Sequence, residues 1–280
     1  MTEDRSGRHG RGEMIRREIV SIIVLVLAVL LFHSLAAKPF YIPSESMLPN
    51  LRVGDRLVVS KYPYGWSFVS ASLPILPPIA GRLLPHLPKR GDIVIVRPPG
   101  RTEDYIKRVV GLPGERLQMR HGTLLINGVP VRREASADAL IPVDANSRCD
   151  HPPYLQRRFT ATDGRRYCRL PVVTETLPNG VRYDTIDLMY RETDDFMPLT
   201  LGPDEIFLMG DNRDDSADSR VTLAQGGLGG PVDFAHIGGR AEFISFSLDG
   251  SSRWWDPRTW PHALRAERAG LSLRASTPTP

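Results

Sequence analysis

The longest apolar run lies near the start of the chain. Ile19 to Ala37 holds no charged residue, and Ile19 to Phe32 is almost wholly Ile, Val and Leu. As a helix rising 1.5 Å per residue the run spans about 29 Å, close to the roughly 30 Å hydrocarbon core of a bilayer. Residues 19–37 are therefore expected to form one transmembrane helix. Past Leu51 the pattern changes to short Val- and Ile-rich runs, most of them bounded by Gly or Pro, which predict strands. These are Asp55–Ser60, Asp92–Val96, Tyr105–Val110, Val181–Leu188, Glu205–Met209 and Ala241–Ser247. Thr123–Val131 reads as a hairpin, because Asn127-Gly128 suits a two-residue type I′ turn. With no helical period after the anchor, the expected fold class is mainly β and antiparallel.

Two stretches interrupt this pattern. Tyr62–Leu87 is rich in Pro and apolar side chains, among them Trp66, Phe68, Leu73, Ile75, Leu76 and Ile79. It either packs on the core as a loop or offers an apolar surface to the bilayer or to a substrate groove. Residues 135–177 form a polar insertion that holds both cysteines. After Leu248 the chain turns to Ser, Arg and Pro, and the tail, 249–280, is expected to be partly disordered. Trp254 and Trp255 within it either pack back on the domain or sit at the membrane interface. The expected organisation is a basic N-terminus (1–18), the anchor (19–37), one domain (38–248) and the tail.

Charge orients the anchor. Arg5, Arg8, Arg11, Arg16 and Arg17 precede it, and only Lys38 and Arg52 follow closely. The positive-inside rule then leaves the N-terminus in the cytoplasm and exports everything from Lys38 onward. A cleavable signal peptide is the rival, since Ser34-Leu35-Ala36 fits an A-x-A-like cleavage pattern. Both readings place the domain outside the cytoplasm, where Cys149 and Cys168 are expected to pair; a reducing cytosol would leave them as thiols. The formal net charge is +4 with basic residues scattered, which argues against a nucleic-acid partner. The cysteines and the dispersed histidines lack zinc-ligand spacing. The acids Asp211, Asp214, Asp215 and Asp218 lack the spacing of an EF-hand loop. No metal or cofactor is expected.

Just beyond the anchor, Pro43-Ser44-Glu45-Ser46-Met47-Leu48-Pro49-Asn50-Leu51 sets two serines between two prolines. Each proline fixes its own φ and biases the residue before it away from helix. Such a stiff segment can hold a hydroxyl at attack distance, but a serine needs a base. No histidine stands in a motif that would pair with Ser46, and Lys107 is the best candidate. The strand period puts Tyr105, Lys107 and Val109 on one face and Arg108 on the other. An apolar face disfavours the ammonium. Lowering a pKa of roughly 10.4 by about 2–3 units costs on the order of 3–4 kcal/mol and leaves a usable neutral fraction near pH 7. Taken alone, the strand position favours a lysine that snorkels to water.

Three boxes together resemble bacterial signal peptidase I: Pro43 to Pro49 (PSESMLP), Tyr105 to Glu115 (YIKRVVGLPGE) and Gly210 to Arg220 (GDNRDDSADSR). They stand in that family's order behind an N-terminal anchor, and a weaker run, Arg90 to Val96, resembles its strand ahead of the lysine box. The resemblance implies a mostly antiparallel β domain with a β-rich insertion. It implies a Ser-Lys dyad in which Ser46 is the nucleophile and Lys107 the general base. Ser44 would join the Ser46 backbone N–H in the oxyanion hole, a placement that suits charge developing in the transition state. Ser216 would orient the lysine amine, and Arg108 with Asp211 and Asp218 with Arg220 would form supporting ion pairs. The implied substrates are secretory preproteins whose signal peptides carry small residues at positions minus one and minus three. Met47 is a guess for the pocket that reads them. Membrane lipids are the other implied partner, with no obligate protein partner, and the implied site is the bacterial inner membrane with the domain on the periplasmic side. Departures are few: Glu45 replaces a glycine, Asn50 a threonine and Asp215 an asparagine, and one span replaces the two found in some members. The rivals are another Ser-Lys processing peptidase, of the plasmid-transfer type, and a membrane-tethered binding or scaffold protein with an inactive site.

Overall fold

The computed structural model describes residues 6–70 and 81–275. Arg5, the apolar Leu73, Ile75, Leu76 and Ile79, and residues 276–280 lie outside them. Helix α1 (Ser6–Leu35) contains the apolar run, and its stretch Glu13–Leu35 is long and apolar enough to cross a membrane, with none of it buried. The helix ends two residues earlier than expected. Ala37 already belongs to a strand, because Lys38 and Pro39 bring the apolar run to a close and the β-prone Phe40-Tyr41 follows.

Fifteen strands follow among the described residues. β1 (Ala37–Tyr41), β2 (Asp55–Ser60), β3 (Ile93–Val96) and β4 (Tyr105–Gly111) come first. β5 (Arg116–Arg120), β6 (Thr123–Ile126) and β7 (Val129–Pro130) are next, and then β8 (Arg132–Pro142), β9 (Arg158–Thr160), β10 (Arg166–Thr176) and β11 (Arg182–Thr185). β12 (Phe196–Thr200), β13 (Glu205–Met209), β14 (Val232–Asp233) and β15 (Ile237–Ser247) complete the set. They form a seven-stranded sheet in the order β1-β2-β15-β3-β4-β13-β14 and two four-stranded sheets, β12-β5-β6-β7 and β11-β10-β8 with β9 beside β10. Every ladder between them is antiparallel. The fold is thus mainly β, as the short apolar runs predict. Asn127 and Gly128 both take positive φ (53° and 82°), the pair a type I′ turn requires.

The core sits on both faces of the large sheet. One cluster packs Ile42, Met47, Leu51, Leu57, Val59 and Ile93, and another packs Val94, Val96, Val109, Leu208 and Ile237. β4 runs through the middle with six of its seven residues buried. Such double burial is why its sequence reads as a nearly continuous apolar run broken only by Lys107 and Arg108.

The insertion is as β-rich as the resemblance implies: β8 and β10 pair along almost their full lengths, and a disulfide joins Cys149 to Cys168. The Tyr62–Leu87 stretch divides between its two readings. Tyr64 and Val69 are buried and Trp66 donates its indole N–H to Leu35 O at 2.9 Å, while Tyr62, Leu83, Leu84 and Leu87 are exposed. Residues 249–275 of the tail fold back onto the domain. Leu264 bridges Leu248, Ser272 bridges Phe243, and Leu273 enters the core. Arg268 closes a bidentate pair on the fully buried Asp55, at 2.8 and 2.6 Å. Polar composition concealed this because the tail is held by arginines and a few apolar contacts rather than by an apolar stripe. Trp254 and Trp255 remain exposed, ring against ring. Since removing one partner strands the other charge in the interior, Arg268→Ala is expected to cost about 3–5 kcal/mol. Thermal denaturation in detergent should show a clear fall in Tm, and an unchanged Tm would mean the tail adds nothing.

Candidate active site

The Ser46 hydroxyl sits in a tight turn, not in a strand. Leu48 N–H donates to Glu45 O at 3.0 Å and Leu51 N–H to Met47 O at 2.9 Å, so the chain between the prolines folds on itself. Asn212 pins this turn from outside: its backbone N–H donates to Ser46 O at 3.1 Å and its side-chain amide to Glu45 O at 3.0 Å. Gly210 explains how the two segments come so close. A Cβ there would lie 2.5 Å from Ser46 O and 2.2 Å from Ser216 Oγ, so only glycine fits.

Lys107 reaches the turn from β4, which pairs with β3 on one side and β13 on the other. Its Nζ is hydrogen-bonded to Ser46 Oγ at 2.9 Å, and both residues are buried. As the strand period predicts, Nζ lies on the same side as the Tyr105 ring, 5.7 Å from its centroid, while Arg108 projects the other way. Burial pushes the Lys107 amine down from 10.5 to about 8, against the opposing pull of Asp218, Asp211 and Asp215. Ser44 Oγ lies 3.3 Å from Ser46 Oγ.

Both expected ion pairs are present. Arg108 grips Asp211 through Nε (2.7 Å) and Nη2 (2.6 Å), and Arg220 grips Asp218 at 3.0 and 2.9 Å. Asn50 adds a donor to Asp211 at 2.8 Å. The Asp218 carboxylate lies below its ordinary value: burial alone would raise it, but Arg220 and the backbone N–H of Gly210 and of Arg220 outweigh that. The four acids Asp211, Asp214, Asp215 and Asp218 do not converge, since two are held by arginines and Asp214 accepts the backbone N–H of Leu188.

Two expectations fail. Ser216 makes no hydrogen bond to Lys107: its hydroxyl is buried against Gly210 without a partner. Met47 does not face the substrate side. The turn directs it inward, where it is wholly buried among Leu51, Leu57 and Ile93. The cleft over the dyad, about 400 Å³, is lined instead by Phe40, Ile42, Ile95 and Ile106 together with Ser44, Ser46 and Lys107.

Sequence reading missed the residues that brace the third box from the insertion. Arg213 forms a fully buried bidentate pair with Glu175 of β10 (2.9 and 2.8 Å), and Tyr183 donates to the same carboxylate at 2.7 Å. Tyr154 meets the Asn212 amide at 2.6 Å. Asn212 and Arg213 lie in a quoted box, but Glu175 and Tyr154 belong to no motif that would have flagged them. Among the described residues, Glu45, His151 and Asp215 bring donor atoms within 4.8 Å of one another, as do Asp187, Asp194 and Asp214. Beside the second group stand Arg220 and Arg191, at 3.7 and 3.8 Å, which supply its positive charge.

Residues 15–246 match the protein family described as signal peptidase, peptidase S26. A signal peptidase I of Rickettsia bellii is 32% identical over 280 residues, covering 92% of this chain and 85% of the relative. One from Rickettsia akari is 32% identical over 253 residues, covering 86% and 82%. A crystal structure of a signal peptidase I from Enterococcus faecalis V583 aligns with 24% identity over 55% of this chain and 97% of that one. Its TM-score of 0.28 is too low to bear on the fold. The match along most of the length, not the local geometry of the site, is what decides kinship: the chain belongs to the S26 family of signal peptidases.

Proposed function

We propose that this hydrolase is a membrane-anchored serine endopeptidase that cleaves signal peptides from exported preproteins, with Ser46 as nucleophile and Lys107 as general base. The observation that carries this reading is the 2.9 Å contact between Ser46 Oγ and a buried lysine whose pKa is lowered to about 8. At that value a useful fraction of Lys107 is neutral at physiological pH and can accept the Ser46 proton. Oγ then attacks the carbonyl carbon of the last signal-peptide residue, and the oxyanion forms beside Ser44 Oγ. The C–N bond breaks as the Lys107 ammonium returns its proton to the leaving nitrogen, which leaves an acyl-enzyme. Neutral Lys107 next takes a proton from water, whose oxygen bonds to the acyl carbon; the ester C–O bond then breaks as the Lys107 ammonium returns that proton to Ser46 Oγ, which releases the acid and restores the enzyme.

The wall of Phe40, Ile42, Ile95 and Ile106 suits the small side chains at positions minus one and minus three of a signal peptide. Helix α1 is the anchor, with its arginine-rich start in the cytoplasm and the domain on the periplasmic side of the inner membrane, against its lipids.

Ser46→Ala and Lys107→Ala should each lower preprotein cleavage in detergent by about 10⁴-fold or more, the scale seen for dyad and triad members. Retained activity in either would sink the dyad. Ser44→Ala should lower kcat by about 10²-fold with little change in KM, since its bond strengthens as the oxyanion forms; a change confined to KM would argue against that role. The pH profile of kcat/KM should rise with pH and level off through about 8, because the neutral amine is the active form. Asp218 is the leading charge that holds the Lys107 proton on, so Asp218→Asn should move this rising limb to lower pH. A limb that stays in place would separate it from Lys107.

A further inference from the structure

A second depression adjoins the apolar cleft. It measures about 270 Å³, and it shares Pro43, Ser44 and Asp215 with the cleft, but its remaining wall is polar and includes Glu45, Asp150 and His151. Three carboxylates face one guanidinium there, that of Arg148, so the notch is negative. Its charges are poorly paired. Among the described residues no hydrogen bond or ion pair engages the Asp215 carboxylate, and Glu45 has only His151, at 3.6 Å. Burial raises the Glu45 carboxyl above its ordinary value, and Asp215, Asp150 and Asp144 add to the rise while His151 opposes it. A cation entering the notch would relieve that repulsion. The walls are held in place beforehand: Asn212 fixes the Glu45 backbone and the Tyr154 hydroxyl, and the His151 ring rests edge-on against Tyr154, 4.9 Å between centroids.

The chain direction says what lies there. β1 leads from the end of α1 at Leu35 toward the dyad, and its Phe40 and Tyr41 line the apolar cleft. A signal peptide emerging from the bilayer meets this apolar side first. The chain beyond the scissile bond must leave past the other lip, formed by Ser44, Glu45 and Asp215. Cleavage also releases the scissile nitrogen as a neutral amine carrying the Lys107 proton, and this α-amine, with an ordinary pKa of about 8, takes a second proton from solvent, so a cation forms at the edge of the negative notch. Resting on the function proposed above, we infer that the notch is the subsite for the first residues of the mature chain. There Glu45 and Asp215 favour basic over acidic side chains.

The test uses three precursors that differ only in the first two residues after the cut, carrying Lys, Ala or Asp there, with the full-length enzyme in detergent. Unaltered enzyme should show kcat/KM in the order Lys, Ala, Asp, with about tenfold between the extremes at low salt and less at high salt. In the double variant Glu45→Gln, Asp215→Asn the Lys/Asp ratio should fall to about twofold or less, and Glu45→Gln alone should give an intermediate ratio. Cleavage of the Ala precursor by each variant shows that it is folded. An unaltered enzyme indifferent to the three, or a double variant that keeps the full ratio, overturns the proposal. So does a preference that vanishes in EDTA, which would give the cluster to a metal ion. Failure of the unaltered enzyme to cleave even the Ala precursor overturns the function on which this subsite rests, and the subsite with it.

Discussion

Everything in this molecule that bears on chemistry depends on keeping one amine out of water. Lys107 is 3% exposed and lies within hydrogen-bond distance of Ser46, and its burial outweighs three nearby carboxylates that would otherwise keep it charged. The balance is close, because two of those acids are needed for structure. Asp211 ties the loop that carries Gly210 and Asn212 to β4, and Asp218 closes that loop on the Gly210 N–H. Arg108 and Arg220 hold these acids in pairs of fixed geometry, and Arg220 itself works against the Lys107 proton. Buried ion pairs contribute little net stability, because desolvation offsets their attraction. Their effect here is electrostatic: a carboxylate already committed to an arginine attracts a lysine less.

The insertion is part of this arrangement. Through Glu175 and Tyr154 it grips Arg213 and Asn212, and those two residues set where Ser46 stands. The Cys149–Cys168 bridge fastens the segment that carries His151 and Tyr154 to β10, the strand that also carries Glu175. A region outside the three boxes thus helps to position Ser46, through Tyr154 and Asn212.

Much of the fold was legible from alternation. β2, β4 and β13 fall where their Val/Ile runs lie, and the Asn127-Gly128 turn has the backbone its residues demand. The dyad was legible only in part. The strand period set the direction of Lys107, but its contact with Ser46 spans 61 residues, and no local pattern encodes such a distance. The failures share a cause. Met47 follows Ser46 in a turn, where alternation does not apply, and Ser216 lies in a loop whose hydroxyl direction is set by packing against Gly210. The tail and the Glu175 pair were hidden for another reason. Arginine and glutamate read as surface residues in composition, and only the partner shows that they are interior.

The junction between helix and sheet has a consequence of its own. Only Ala36 separates the end of α1 from β1, and that link is clamped: Lys61 N–H donates to Ala36 O and Trp66 to Leu35 O. A flexible tether would let a domain sample many heights and orientations, with an effective concentration set by linker length. A splint of one residue removes that freedom. Tilt or rotation of the helix is therefore transmitted to the sheet as to a lever, and the attitude of α1 sets that of the strands around Ser46.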